Sequence, residues 1–187
     1  MIDFLSVPGA AMLRCEREWL RDTAAECDGG VIVNIGVLWG ASLCCLRAGA
    51  RRSRLIGVDL DCQRLKCDTA AELWEGDSRE IHERCNVPVS LLFVDGDHCR
   101  EGVAADIAGW VPKVQIGGIV AFHDYNPSAY DLSLRPELAG VRQAVDDWFV
   151  SVADQWQEIA APGSLYALRY VGRVAVAGTP NEESDGE

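Results

Sequence analysis

Two short motifs hold the side chains best suited to moving protons and binding a metal: Asp95-Gly96-Asp97-His98 and His123-Asp124. Two carboxylates with open positions for water suit Mg2+ or Mn2+, hard ions that prefer oxygen. Such an ion can clamp two substrate oxygens and lower the pKa of an attacking hydroxyl. An imidazole titrates near neutral pH, so His98, three positions after Asp95, is the expected base. On this reading Asp95, His123 and Asp124 hold the metal, and His98 and His123 are the catalytic histidines. Blander roles stand beside these: Asp95 and Asp97 as loop caps, and His123 as a hydrogen-bonded structural residue. A metal-free site working through His98 or His123 alone is the main competitor.

These residues act together only if the chain brings them to one place. The apolar run Leu91–Val94 ends at Asp95, and the run Ile119–Phe122 ends at His123. A short apolar run closed by polar turn residues reads as a buried strand. Between the two, Val103, Ile107 and Trp110 recur on one face of a helix that Pro112 stops. Strands joined by a helical crossover lie parallel, with their C-terminal ends at the same sheet edge. Neighbouring strands are ~4.8 Å apart, so Asp95 and Asp124 converge although 29 positions separate them. Ligands of open parallel sheets bind outside those ends.

Three earlier strands end at the same edge. Val31–Ile35 runs into Asn34-Ile35-Gly36-Val37-Leu38-Trp39-Gly40, a glycine turn opening a helix at Ala41–Ala48. Such a turn lets backbone approach a ligand and presents free helix N–H groups, or is simply a tight turn. Its GxxxG spacing fails the GxGxxG fingerprint of a dinucleotide enzyme. Leu55–Val58 ends at Asp59, which can accept both hydroxyls of a ribose or cap a helix. A weaker strand, Glu72–Trp74, leads to Glu75-Gly76-Asp77-Ser78, where Asp77 and Ser78 could meet an adenine or cap the next helix. In this order the strand ends suggest a nucleoside ligand without a pyrophosphate.

With FVDGDH, a crossover to GGIVAFHDY, GVRQAVDDW at 140–148 and GSLYALR at 163–169, the chain resembles the class I S-adenosylmethionine-dependent methyltransferases. It is most similar to the small-molecule O-methyltransferase branch with macrocin and rhamnosyl O-methyltransferases and cephalosporin-hydroxylase-like proteins. The resemblance covers about Val31 to Arg169. It implies a Rossmann-like α/β three-layer sandwich, with a mostly parallel seven-stranded sheet closed by a C-terminal antiparallel hairpin. It also implies a cofactor set of Asn34, Gly36, Gly40, Asp59, Asp77, Ser78 and Asp95. Gly36 and Gly40 would flank the methionine part, Asp59 would hold the ribose, and Asp77 and Ser78 would lie by the adenine. Asp95, His123 and Asp124 fall where metal-dependent members bind a divalent ion. Two departures stand out. Asn34 replaces a frequent Glu or Asp, so recognition of an amino group there is neutral or indirect. The segment from Asp61 to Trp74 is short, close to the ~10–12 residue minimum for a crossover, so any helix in it must be short.

The remaining elements are a helix over Ala10–Cys27, with Met12, Cys15, Trp19 and Leu20 on its apolar side, and a short helix at Ser78–Cys85. A lid-like loop runs from Tyr125 to Gly140, with Trp39, Tyr125, Tyr130 and Arg135 as candidates to shape an acceptor pocket. A helix follows, marked by Val141, Val145, Trp148 and Val152, then a hairpin of Trp156–Ile159 and Ser164–Tyr170. Residues 1–172 are expected to form one domain, and 173–187, ending in NEESDGE, a disordered acidic tail. The composition, 49% hydrophobic and 25% charged, is that of an ordinary globular protein.

A net charge of −12 argues against nucleic acid as a partner. No apolar run approaches a membrane span, and the N-terminus lacks the pattern of a signal peptide. A cytoplasmic location follows, with the eight cysteines reduced. The expected function is transfer of a methyl group from S-adenosylmethionine to a hydroxyl of a small metabolite, a sugar or catechol-like acceptor, with Mg2+ or Mn2+. A homodimer is a further expectation. The alternative is a cofactor-binding protein of this fold without catalysis.

Overall fold

The computed structural model describes residues 12–173. The acidic tail expected at 173–187 lies, from residue 174 on, outside the described residues. Seven strands form one sheet: β1 (Val31–Ile35), β2 (Arg54–Asp59), β3 (Glu72–Glu75), β4 (Val89–Val94), β5 (Val114–Phe122), β6 (Trp156–Ile159) and β7 (Tyr166–Tyr170). Their order is β3-β2-β1-β4-β5-β7-β6. The first five pair in parallel, and β7 runs antiparallel between β5 and β6.

The central strands read as continuous apolar runs because both faces of the sheet are covered. Along β4, Leu91 and Phe93 face one layer, which packs with Leu20, Leu43 and Leu46 of the helices α1 (Arg14–Glu26) and α2 (Ala41–Gly49). Leu92 and Val94 face the other, with Val103, Ile107 and Val145. That second layer holds α3 (Ser78–Ile81), α4 (Arg100–Trp110) and α6 (Ala139–Val150), while α5 (Ala129–Leu134) lies in the connection from β5. The register aligns Ile35 with Val58 and with Val94, and Val94 with Phe122. The ends of β1, β2, β4 and β5 are therefore level, and the strand order reverses between β1 and β4, the usual place for a ligand crevice.

Three expectations are corrected. The crossover from β2 to β3 contains no α-helix, only a 3-10 turn at Cys62–Arg64. Twelve connecting residues are too few for a packed helix, and backbone contacts replace it: Lys66 N donates to Trp39 O at 3.2 Å, and Arg47 Nε donates to Thr69 O at 2.8 Å. The connection after β5 is largely helical, since Ser128 and Asp131 form a reciprocal capping box that starts α5. At α1 the expected inward face is corrected in part: Leu20 and the preceding Met12 are buried as expected. Cys15 is exposed, whereas Glu16 is buried with Leu20 and Ala24.

Candidate active site

Backbone geometry builds the first part of the site. Gly36 has φ +80°, and a Cβ there would fall on the Asp95 carbonyl, so the β1 turn can touch the β4 turn only as glycine. Gly40, at φ +94°, likewise admits Leu65 and Cys67 of the short crossover against the start of α2. Asp59 closes the turn from the side. Its Oδ2 accepts Val37 N at 2.7 Å and Leu38 N at 2.8 Å, and its Oδ1 accepts Asp61 N at 3.0 Å. Asn34 braces the turn from below, donating Nδ2 to Gly36 O at 2.8 Å; its buried Oδ1 has no hydrogen-bond partner among the described residues.

A cavity of about 450 Å³ opens outside these strand ends, and Gly36, Asp59, Ser78, Asp95, His98 and Asp124 all line it. Asn34 does not. Trp39 and Arg135 do line it, while Tyr125 is buried and stacked on Tyr166 at 4.3 Å and Tyr130 is 71% exposed. Only two of the four expected pocket residues therefore face the cavity. A larger hollow of about 800 Å³ between α4, α6 and β6 is lined mainly by apolar side chains such as Ile107, Trp148 and Trp156. It is remote from the strand ends.

At one end of the cavity four titratable side chains converge. His98 Nε2 lies 3.2 Å from Asp124 Oδ2 and 3.7 Å from Asp95 Oδ1. His123 Nδ1 lies 3.2 Å from Asp95 Oδ1 and 3.4 Å from Asp124 Oδ2. Both nitrogens are buried, yet neither makes a well-aligned hydrogen bond among the described residues. The ligand atoms of Asp95, His98 and Asp124 all lie within 4.8 Å of one another, the spacing of a group able to hold an ion. Asp124 reaches this position from a left-handed backbone at φ +56°, a strain common at functional sites.

The charges are strongly coupled. Burial alone would raise Asp95, but the His123 charge and hydrogen bonds from both imidazoles hold it below the usual carboxylate range. Asp124 is depressed for the same reason, its hydrogen bonds to His123 and His98 outweighing burial. Burial opposes a charge on His98, yet hydrogen bonds to Asp124 and Asp95 raise the ring to about 9. His123 is raised well above the ordinary histidine range. Arg135 Nη2 stands 3.3 Å from His98 Nδ1, the ring nitrogen away from the two carboxylates.

Two buried carboxylates escaped the sequence reading. Glu16 accepts Ser164 N at 2.7 Å and Ser164 Oγ at 2.9 Å through Oε1, and its Oε2 faces His123 Nε2 at 3.3 Å. Asp106, 1% exposed, accepts the Ser78 hydroxyl at 2.5 Å through Oδ1. The signal was present in both cases. Glu16 lies four residues from Met12 and from Leu20, and Asp106 shares a stripe with Val103 and Trp110. A charge on the apolar face of a helix requires a partner inside. Asp77 also lines the cavity; it caps α3 through Arg79 N at 2.9 Å and pairs with the Arg79 guanidinium, which holds it down at about 2.

Residues 33–125 match the family model described as a methyltransferase domain. Among solved structures, the fold is similar to the SAH-bound methyltransferase PaMTH1 of Podospora anserina, at TM-score 0.66 and 16% identity over 85% of this chain and 79% of that one. It is also similar to the O-methyltransferase TomG of Streptomyces achromogenes, solved with SAM, at TM-score 0.69 and 15% identity over 88% and 83%. The methyltransferase MycE of the mycinamycin biosynthetic pathway, solved with Mg, SAH and mycinamycin VI, matches at TM-score 0.61 and 18% identity over 81% of this chain. This chain spans 47% of MycE. At such identities the likeness is one of fold.

Proposed function

From the premise that this chain is a methyltransferase, the family its residues 33–125 match, we propose that it methylates a hydroxyl of a small acceptor such as a sugar or a catechol-like compound. The methyl donor is S-adenosylmethionine. The observation that carries the reading is the single cavity on which the Gly36 turn, Asp59 and the Asp95/His98/Asp124 group open together. When bound, the donor supplies a methyl carried on a positively charged sulfur. The site fits it: bare glycine backbone at Gly36, free helix N–H groups at the start of α2, and an acidic wall toward a cationic ligand.

Asp95 and Asp124 would hold a divalent ion, with an imidazole as third donor, and the ion would lower the pKa of a substrate hydroxyl. Two carboxylates and two buried imidazole nitrogens without well-aligned partners fit that role. His98 and His123 both reach the carboxylates, but they differ in access. Both line the cavity, but the His123 side chain is 4% exposed and tied through Nε2 to Glu16, whereas that of His98 is 19% exposed. An ion on the two carboxylates would cancel the pull that keeps the His98 ring protonated, so His98 is assigned to take the acceptor proton and His123 to complete the ion site. Asp59 keeps the cofactor turn closed, and Arg135 orients the His98 ring from its far nitrogen. The eight free thiols fit a reducing compartment, which supports a cytoplasmic location.

The test is cofactor turnover with a panel of hydroxylated acceptors, in chelator and after return of Mg2+ or Mn2+. Turnover lost in chelator and restored by the ion is expected. Full turnover in chelator would remove the ion and leave the methyl transfer standing, and no turnover with any acceptor alongside no cofactor binding would remove both.

A further inference from the structure

We infer that Glu16, on α1, is a positioning residue: it fixes the His123 ring so that Nδ1 is the nitrogen offered to the ion, and so favours Mn2+ over Mg2+ at the site. The inference rests on the ion reading above. Glu16 is 1% exposed and is not among the residues that line the cavity. Its Oε1 accepts Ser164 N at 2.7 Å and Ser164 Oγ at 2.9 Å, and its Oε2 accepts Leu13 N at 2.7 Å. A Cβ on Gly163, at φ +66°, would fall on this carboxylate, so the turn before β7 admits Glu16 only because it is glycine. With donors on both oxygens the carboxylate is an acceptor, and His123 Nε2, 3.3 Å from Oε2, faces it as a donor.

A neutral ring that carries its hydrogen on Nε2 keeps the Nδ1 lone pair bare. That nitrogen is buried without a well-aligned partner among the described residues, 3.2 Å from Asp95 Oδ1 and 3.4 Å from Asp124 Oδ2. A lone pair facing two carboxylate oxygens is satisfied by a cation between them. Without Glu16 those carboxylates would draw the ring hydrogen to Nδ1, and His123 would compete with the ion instead of joining it. Ligating imidazoles commonly donate their other nitrogen to a carboxylate for this reason. A purely structural tie between α1 and the turn before β7 needs no imidazole, since Leu13 and Ser164 already hold Glu16. The nitrogen also bears on which ion is held: Mg2+ keeps closely to oxygen, whereas transition ions accept imidazole.

The experiment titrates the protein calorimetrically with Mn2+ alone and with Mg2+ alone, and reads the Mn2+ form by electron spin echo modulation for a directly bound imidazole nitrogen. The wild type should bind Mn2+ the more tightly and show the nitrogen. His98→Ala should keep the signal, which assigns it to His123. In Glu16→Gln an amide N–H can face Nε2 and send the ring hydrogen to Nδ1. Mn2+ affinity should then fall by roughly 10–100-fold, the usual effect of losing such a partner, with a smaller loss for Mg2+ and no nitrogen signal. Equal losses for the two ions, or an unchanged Mn2+ affinity, would overturn the inference. If Glu16→Gln does not fold, the other two proteins decide: Mn2+ bound by the wild type without the nitrogen, or a signal lost in His98→Ala, overturns the inference and leaves the ion standing. A wild type that binds neither ion would instead overturn the ion reading on which the inference rests.

Discussion

Replacing Asp106 by asparagine should stabilise the ligand-free protein, and the size of the gain should depend on pH. Burial raises the folded-state pKa of Asp106 from 3.8 to about 6. For an acid shifted upward, the native state binds the proton more tightly than the unfolded chain. Stability from this group therefore falls as pH rises from about 3.8 to about 6, and the full cost persists above that window. Each pH unit of the gap corresponds to about 1.4 kcal/mol, which gives about 3 kcal/mol at pH 8 and about half of that at pH 5. Asparagine has the same shape, can still accept the Ser78 hydroxyl and carries no charge. At 2–4 °C per kcal/mol for a chain of this size, melting should rise by roughly 6–12 °C at pH 8 and by about half as much at pH 5. Denaturant titration of both proteins at the two pH values measures the difference directly, and other titrating groups cancel between them. A variant less stable than the wild type at pH 8, or a gain independent of pH, would refute the argument that a costly buried carboxylate sits at this position.

Three further outcomes follow from the same geometry. Asp59→Ala leaves Val37 N, Leu38 N and Asp61 N without their acceptor, so calorimetry should show cofactor affinity weakened by roughly tenfold or more; unchanged affinity would mean the turn holds itself. His98→Ala should lower turnover by about 10²–10⁴ with cofactor affinity and ion content preserved. Loss of the ion instead, read by elemental analysis, would make His98 a ligand and not the base. Glu16→Ala strands the buried His123 Nε2 and the Ser164 amide, and denaturation should show a loss of roughly 3–5 kcal/mol, the cost of breaking a buried charge pair. A loss below about 1 kcal/mol would show the pair to be incidental.

The sequence by itself determined the sheet and the place of the site. Apolar runs ending in Asp59, Asp95 and His123-Asp124 are local signals, and parallel pairing then requires their ends to meet. Gly36 was legible as a glycine at a strand-to-helix turn, and the structure gives the reason: at φ +80° beside the end of β4 there is no room for a side chain. Sequence reading was weaker where an element is short. The helix expected between β2 and β3 is a 3-10 turn, and the expected lid loop contains α5, whose start was encoded in Ser128 and Asp131.

What only the tertiary structure decided is which polar groups are already taken. Asp77 and Asp106 are both acids near the same end of the sheet, and although the apolar stripe of α4 marks Asp106 as buried, no spacing names the partner of either. The fold pairs Asp77 with Arg79 and buries Asp106 against the Ser78 hydroxyl. Likewise Glu16, 107 positions from His123, fixes one nitrogen of that ring and so leaves His98 as the accessible imidazole. Hydrogen bonds between distant elements depend on where helices pack, and packing is set by the whole core rather than by any local pattern.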